Sequence, residues 1–170
     1  MAAKKKKSKS DAKKSASADQ SKTITENRKA RHRYEILQQV ECGVMLIGSE
    51  VKSLREGNIS LNEAYVRVEK GELWLIGADI AEYRQASFWN HKPRRSRKLL
   101  VHRRELNKLS TKAFEKGLTL VPLRMYFNSR GIVKVVVGVC RGKNVHDKRQ
   151  TLKDADNKRR LNREMRDRLK

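Results

Sequence analysis

The stretch Ile132–Arg149, IVKVVVGVCRGKNVHDKR, joins a valine-rich segment to a basic one. In its first half every second residue is a valine, namely Val133, Val135, Val137 and Val139. A period of two places these four side chains on one face of a β-strand and Lys134 on the opposite face. Basic residues follow the strand directly. The pattern predicts a buried strand that is followed directly by a cationic segment. Such an arrangement suits a polyanionic ligand better than a small substrate.

The charge of the chain is large, positive and uneven. The 170 residues carry a formal net charge of +23. Residues 1–33 hold twelve basic and three acidic side chains, and residues 141–170 hold twelve and five. A basic body with more basic ends is typical of proteins that bind nucleic acid or an anionic membrane surface. The hydrophobic content of 37% suffices for one modest core.

Several classes of protein are disfavoured by the sequence. No apolar run approaches the ~20 residues of a membrane span, and no apolar stretch follows the N-terminal lysines as in a signal peptide. The two cysteines, Cys42 and Cys140, lack the spacing of a zinc site. We therefore expect reduced thiols, a cytoplasmic protein, no membrane association, and no metal or cofactor.

Catalysis is disfavoured as well. The pair His146-Asp147 has no second histidine, nucleophile or glycine-rich phosphate loop near it in the sequence. A metal-dependent ribonuclease would need clustered carboxylates, and the acidic residues are scattered. We therefore expect a binding protein and not an enzyme.

Local patterns predict strands with few helices. Residues 1–26 are rich in Lys, Ser and Ala without periodicity, which predicts disorder. We predict a long strand over 34–47 with Ile36, Val40 and Cys42 on its inner face, a hairpin over 65–76, and a strand over 119–127. Pro122 indicates that the last of these lies at a sheet edge or contains a bulge.

Two helices and one loop complete the prediction. Ser49 can cap a short helix that Gly57 ends. Leu99, Leu106, Leu109 and Ala113 form the apolar stripe of a second helix, which Ser110-Thr111 could break. Residues 84–98 are polar and contain clustered arginines, which predicts an exposed basic loop.

The predicted fold is mainly β: a small antiparallel OB-like barrel with short helices and disordered basic tails. The expected boundaries are a tail over 1–26, the barrel over 27–140 and a C-terminal tail over 141–170. A flat α+β sandwich is the competing architecture.

Four segments carry a family resemblance, and they occur in the family's order. They are Asn27–His32 (NRKARH), Gly48–Arg55 (GSEVKSLR), Pro93–Leu100 (PRRSRKLL) and Gly138–Arg149 (GVCRGKNVHDKR). Together they resemble the SmpB, or SsrA-binding protein, family over residues 27–149. The N-terminal extension falls outside the resemblance.

The resemblance implies a bacterial, cytoplasmic, non-enzymatic RNA-binding protein with an OB-like barrel. It would bind the tRNA-like domain of transfer-messenger RNA (tmRNA, or SsrA RNA) and deliver it to stalled ribosomes for trans-translation. Its implied partners are tmRNA, the ribosome, and, through the tmRNA complex, alanyl-tRNA synthetase and elongation factor Tu. We expect a monomer whose C-terminal tail becomes helical on the ribosome and senses the empty mRNA channel and decoding centre.

The candidate RNA-binding residues follow from the resemblance and from charge. Asn27, Glu41, Leu100 and Lys134 fall at the family's tmRNA-contact positions. Charged and aromatic side chains near the motifs extend the predicted set with Lys52, Arg55, Trp89, Arg94 and Arg95. The predicted ribosome-binding residues are Lys143, His146, Asp147, Lys148, Arg149, Leu161 and Met165.

Two of these residues have open alternatives. Glu41 is an acid on a basic surface and cannot bind phosphate. It can either accept hydrogen bonds from a base edge or ribose hydroxyl, or form an ion pair with Lys134 across strands. Phe88 and Trp89 can stack on a base or pin their loop to the barrel. For the whole protein, the alternatives are a ribosomal-protein-like or initiation-factor-like rRNA-binding barrel and a membrane-surface protein.

Overall fold

The structure is a computed structural model that describes residues 22–86 and 90–144, together with Asn157, Arg160, Leu161, Glu164 and Met165. Several sequence predictions lie outside the described residues. They concern the tail over 1–21, the pair Phe88 and Trp89, and the segment that contains His146, Asp147, Lys148 and Arg149.

The strands and helices of residues 22–144 follow one another in this order: β1 Lys22–Glu26, α1 Arg28–Arg33, β2 Tyr34–Val44, α2 Gly48–Arg55, β3 Ile59–Ser60, β4 Tyr65–Glu69, β5 Glu72–Ile76, β6 Asp79–Ile80, β7 Arg97–Leu100, α3 Arg103–Phe114, β8 Leu118–Phe127 and β9 Val133–Gly142. The hairpin of β4 and β5 has the predicted bounds, with Lys70 and Gly71 at positive φ in its turn.

The main sheet is antiparallel and closes on itself. Its strands pair in the order β8–β4–β5–β7–β2–β9, and β9 pairs again with β8. One edge of β8 pairs with β9 along its whole length, while the other pairs with β4 at Leu120 and with β1 over Arg124–Phe127. This ring of strands confirms the predicted mainly β fold and agrees with an OB-like barrel rather than a flat sandwich.

The valine strand β9 is buried on both faces. Val133, Val135, Val137 and Val139 point into the barrel core, as the period of two predicts. Helix α1 covers the outer face of β8 and β9, where it forms a second apolar group that we call the α1 cluster: Ala30, Val121, Leu123, Tyr126, Val136 and Cys140. The second layer explains why the apolar run is continuous and does not simply alternate.

The N-terminal boundary differs from the prediction. Lys22–Glu26 form β1, which pairs with β8, so the predicted disorder of residues 1–26 is wrong for these five residues. The partner strand lies about a hundred residues later in the chain, so no local pattern reveals it. At the other end, β9 continues to Gly142, two residues past the predicted limit of the barrel.

A bulge changes which side chains of β2 face the core. The register with β9 shifts between Ile36 and Gln38. Ile36 therefore packs against the α1 cluster, while Val40 and Cys42 point into the barrel. The prediction of one shared inner face is wrong for Ile36, because an extra residue reverses the alternation.

The predictions for α2, α3 and β8 are each correct only in part. Ser49 does not cap α2; the Glu50 carboxylate accepts from the backbone N–H of Ile47 at 2.7 Å instead. Leu99 lies in β7, and α3 runs unbroken through Ser110 and Thr111. The register of β8 and β9 shifts after Pro122, which confirms a bulge, but β8 has partners on both sides and is not an edge.

Candidate nucleic-acid interface

Three of the four contact positions implied by the resemblance meet on the outside of the barrel. Strand β2 lies between β7 and β9, and Gly43 on β2 pairs with both Leu100 and Lys134. Glu41 is two residues away on the same face. A Cβ on Gly43 would lie 3.3 Å from the Cβ of Leu100, so glycine lets the neighbouring strand's side chain approach closely.

These residues surround a cavity of about 280 Å³, which we call the outer depression. Its lining residues are Glu41, Gly43, Leu100, Val101, His102, Glu105 and Lys134. The first turn of α3 closes one side. Gly43, His102 and Glu105 are not among the residues predicted from the sequence. A glycine inside a strand is a signal of close approach and could have identified Gly43.

Glu41 has two protein partners in this site. Its Oε1 lies 3.2 Å from the Nζ of Lys134, and its Oε2 accepts a hydrogen bond from the Tyr126 hydroxyl. The Tyr126 hydrogen bond is the strongest cause that lowers the pKa of Glu41; burial opposes it, and Lys134 and Arg124 add to it. The carboxylate is ionised at neutral pH, and its side chain is 51% exposed. The ion pair proposed from the sequence exists, and the acceptor remains accessible.

Leu100 supplies the apolar part of the depression. Its side chain is 49% exposed, although Leu99 beside it lies in the core. Leu100 on β7 lies across Gly43 from the Glu41–Lys134 ion pair, so an apolar face of a ligand can rest on the leucine while polar atoms pair with the charged groups beside it.

Asn27 lies elsewhere, and its side chain is committed to the fold. The residue is 2% exposed, and its amide nitrogen donates to the carbonyls of Leu61 at 2.9 Å and Pro122 at 3.2 Å. Its oxygen accepts from the N–H of Ala30 and so caps α1. The expectation of a direct RNA contact does not fit this burial; Asn27 instead fixes α1 on the barrel.

The predicted cations on α2 are exposed. Lys52 and Arg55 both face outward, and the Lys52 ammonium lies 5.4 Å from the centre of the Tyr83 ring. Arg94 is also exposed and pairs with Asp79 at 3.0 Å. These side chains are available to phosphate groups.

Residues 95–98 do not form the predicted exposed basic loop. Arg95 donates to Glu50 at 2.5 and 2.7 Å, and Arg97 donates to the same carboxylate at 2.9 Å. Glu50 and Arg97 are fully buried, whereas Arg95 is 29% exposed. We call Glu50, Arg95 and Arg97 the buried charge cluster. Because Glu50 is buried at the start of α2, it draws two arginines inward, and Arg95 is a structural residue with little surface to offer.

The described part of the C-terminal segment begins as an extension of the sheet. The N–H of Lys143 donates to the carbonyl of Arg33 at 3.0 Å. Farther on, Leu161 and Met165 have helical backbone and are 59% and 61% exposed. Arg160 and Glu164 form an ion pair one helical turn apart at 3.3 Å.

Among the residues that the structure describes, no group of three or more His, Cys, Asp or Glu side chains could hold a metal ion. None of the helices in that part of the chain has the length and apolar character to span a membrane.

The chain is similar to proteins of one family. The family described as "SmpB protein" matches residues 24–167. An SsrA-binding protein of Rhodopirellula baltica is 60% identical over 143 residues, which span 84% of this chain and 81% of the relative. An SsrA-binding protein of Cereibacter sphaeroides is 56% identical over 131 residues, with 77% and 83% covered.

A solved structure agrees with these relatives. It is described as "tmRNA-SmpB: a journey to the center of the bacterial ribosome". One of its chains is 52% identical and superposes with a TM-score of 0.62, covering 71% of this chain and 85% of its own length. The extent and identity of these matches show that this chain belongs to the SmpB family.

Proposed function

We propose that this protein binds the tRNA-like domain of tmRNA and delivers it to stalled ribosomes for trans-translation. The observation that carries the proposal is the convergence of Glu41, Leu100 and Lys134 on the outer depression. The relatives named as SsrA-binding proteins and the tmRNA-SmpB structure support it.

The chemistry of the depression suits folded RNA. Proteins recognise RNA through its shape, its backbone and unstacked bases. Lys134 can meet a phosphate, Leu100 can pack against a base or sugar, and Glu41 can accept from a base edge or a ribose hydroxyl. The exposed cations Lys52 and Arg55 would extend the phosphate-binding surface.

The remaining parts of the proposal rest on the family. Alanyl-tRNA synthetase and elongation factor Tu would act on the same complex through tmRNA. The protein would work in the cytoplasm as a monomer without a catalytic step of its own. The segment from Lys143 through Met165 would contact the ribosome, with Leu161 and Met165 as one stripe of a helix that senses the empty mRNA channel.

The first experiment identifies the RNA. The protein is purified from its own cells, and the RNA that accompanies it is sequenced. Enrichment of tmRNA over tRNA and rRNA supports the proposal. Enrichment of rRNA alone would favour a ribosomal-protein-like or initiation-factor-like role and would overturn it.

A second experiment separates RNA binding from action on the ribosome. We expect removal of the residues from Thr151 onward to leave the Kd for tmRNA within a few-fold, because the depression lies on the barrel. Peptide tagging on stalled ribosomes should be abolished. The variant Leu161→Asp with Met165→Asp should have nearly the same effect at full length. Normal tagging by the truncated protein would contradict the role assigned to the tail.

A further inference from the structure

We propose that Tyr126 is the positioning residue for Glu41, holding its carboxylate so that the remaining acceptor sites face an RNA base edge or ribose hydroxyl. The inference rests on the proposed function and adds to it a residue that contacts no RNA. Neither charge nor a recognisable motif points to Tyr126 in the sequence.

The position of the Tyr126 ring is itself fixed. The residue is 6% exposed and belongs to the α1 cluster, with Ala30 and Val136 among its members. It pairs directly with Lys134 across β8 and β9. A buried ring in a strand has little freedom, so its hydroxyl holds a constant position beside the Glu41 carboxylate.

Two partners then define the orientation of the carboxylate. Tyr126 donates to Oε2 of Glu41, while Lys134 approaches Oε1. A carboxylate has about four acceptor sites, so two protein partners leave others for a ligand. An exposed ion pair alone would leave two flexible side chains in many arrangements. The hydrogen bond from a rigid ring selects one of them before RNA arrives, which lowers the entropic cost of binding.

The electrical surroundings favour the charged form of Glu41. Arg124 lies with its guanidinium 5.0 Å from the centre of the Tyr126 ring, and Lys134 lies beside the carboxylate. The start of α3 also lines the outer depression, with His102 directly before the helix and Glu105 in its first turn. The Tyr126 hydrogen bond and the nearby cations together keep Glu41 ionised, so that it acts as a hydrogen-bond acceptor on a surface dominated by cations.

Helix α1 connects the buried residue Asn27 with the Tyr126 ring. Asn27 caps α1, and Ala30 of that helix packs in the same cluster as Tyr126. A buried residue can thus influence the depression through the group that holds Tyr126 in place.

The test compares four full-length proteins: the parent, Tyr126→Phe, Glu41→Ala and the double variant. The probe is a transcript of the tRNA-like domain of tmRNA, with unmodified tRNA as competitor. We expect Tyr126→Phe to weaken binding about tenfold, which corresponds to about 1.4 kcal/mol. In the Glu41→Ala background the same change should have no further effect. Tyr65→Phe, on the outer face of β4, removes a hydroxyl from an exposed tyrosine and serves as the matched control.

A second readout requires no RNA. The titration of the Glu41 carboxyl carbon by NMR in the free protein should give a pKa below that of an ordinary glutamate, and Tyr126→Phe should raise it. Equal losses of affinity with and without Glu41 would overturn the inference, as would full affinity of Tyr126→Phe. If Tyr126→Phe does not fold, an ordinary Glu41 pKa in the parent overturns it. Failure of the parent to bind the transcript would instead count against the proposed function, while the titration still decides whether Tyr126 controls Glu41.

Discussion

Two glutamates of this protein are each held by cations, and they differ in burial. Glu50 is fully buried and pairs with Arg95 and Arg97. Glu41 is half exposed and pairs with Lys134 and the Tyr126 hydroxyl. The first carboxylate has four hydrogen bonds from protein groups and no access to solvent. The second retains open acceptor sites at the surface.

Burial gives the two carboxylates different roles: Glu50 contributes to stability, and Glu41 is available to a ligand. Burial raises the pKa of Glu50, but hydrogen bonds from Arg95 and the Ile47 N–H and the charge of Arg97 together outweigh it, so the net shift is downward. Burial lowers the pKa of Arg97 more than Glu50 raises it, yet a guanidinium stays protonated at neutral pH. The buried charge cluster therefore stays ionised and holds the 93–97 segment against α2, whereas Glu41 is half exposed and keeps acceptor sites open for a ligand.

The largest expected effect is on stability. Glu50→Gln removes the charge that compensates two arginines, one of them fully buried. Breaking a buried pair from one side costs about 3–5 kcal/mol, so we expect a loss of that order in the free energy of unfolding. Urea unfolding measures it. Glu41→Gln is the matched control and should cost less than about 1 kcal/mol. Similar losses of unfolding free energy for the two variants would show that burial does not distinguish the two carboxylates.

The next effect is a change in RNA affinity, opposite in direction to what net charge alone predicts. Glu41→Ala makes the protein more cationic, so simple electrostatics predicts tighter binding. We expect weaker binding to the tRNA-like domain, by about tenfold or more, because a hydrogen bond to a charged group contributes about 1.5–3 kcal/mol. Filter binding or fluorescence anisotropy measures the change. Unchanged or higher affinity of the folded variant would show that Glu41 makes no contact with RNA.

The sequence predicted well what local periodicity encodes. The valines of β9 and the hairpin around Lys70-Gly71 were predicted because alternation and turn residues are visible within a few positions. Four ordered motifs also indicated the family, and three of the implied contact positions meet at one depression.

Long-range packing accounts for what the sequence did not predict. The sequence predicts an exposed loop at Arg95 and Arg97 because nothing near them reveals Glu50, which precedes them by more than forty residues. The burial of Asn27 is equally invisible in the sequence, because its amide donates to a carbonyl 95 positions away. No sequence pattern points to Tyr126, because its partner Glu41 lies on a strand 85 positions earlier.

Acid should distinguish the two glutamates further. The folded pKa of Glu50 lies below its unfolded value of about 4.3, so its contribution to stability is complete above that pH and is lost as the pH falls through the folded pKa. We expect Glu50→Gln to flatten the dependence of unfolding free energy on pH below about 4.3. Glu41 has the same direction of shift, but its exposure makes the effect smaller. A larger flattening in Glu41→Gln than in Glu50→Gln would contradict this ranking.

The smallest effects should come from exposed cations that have no buried partner. Lys52→Ala and Arg55→Ala each remove one positive charge from the outer side of α2. If each meets one phosphate, affinity should fall a few-fold at moderate salt, and the slope of log affinity against log salt should become shallower by about 0.7–0.9. Because phosphate carries no sequence information, tRNA and tmRNA should be affected alike, whereas Glu41→Ala should mainly reduce the preference for tmRNA. Arg67→Ala on β4 is the matched control, since Arg67 is exposed but lies outside the predicted site. An unchanged salt slope for Lys52→Ala and Arg55→Ala would show that α2 does not contact the RNA backbone, and a loss confined to tmRNA would show that it recognises more than charge.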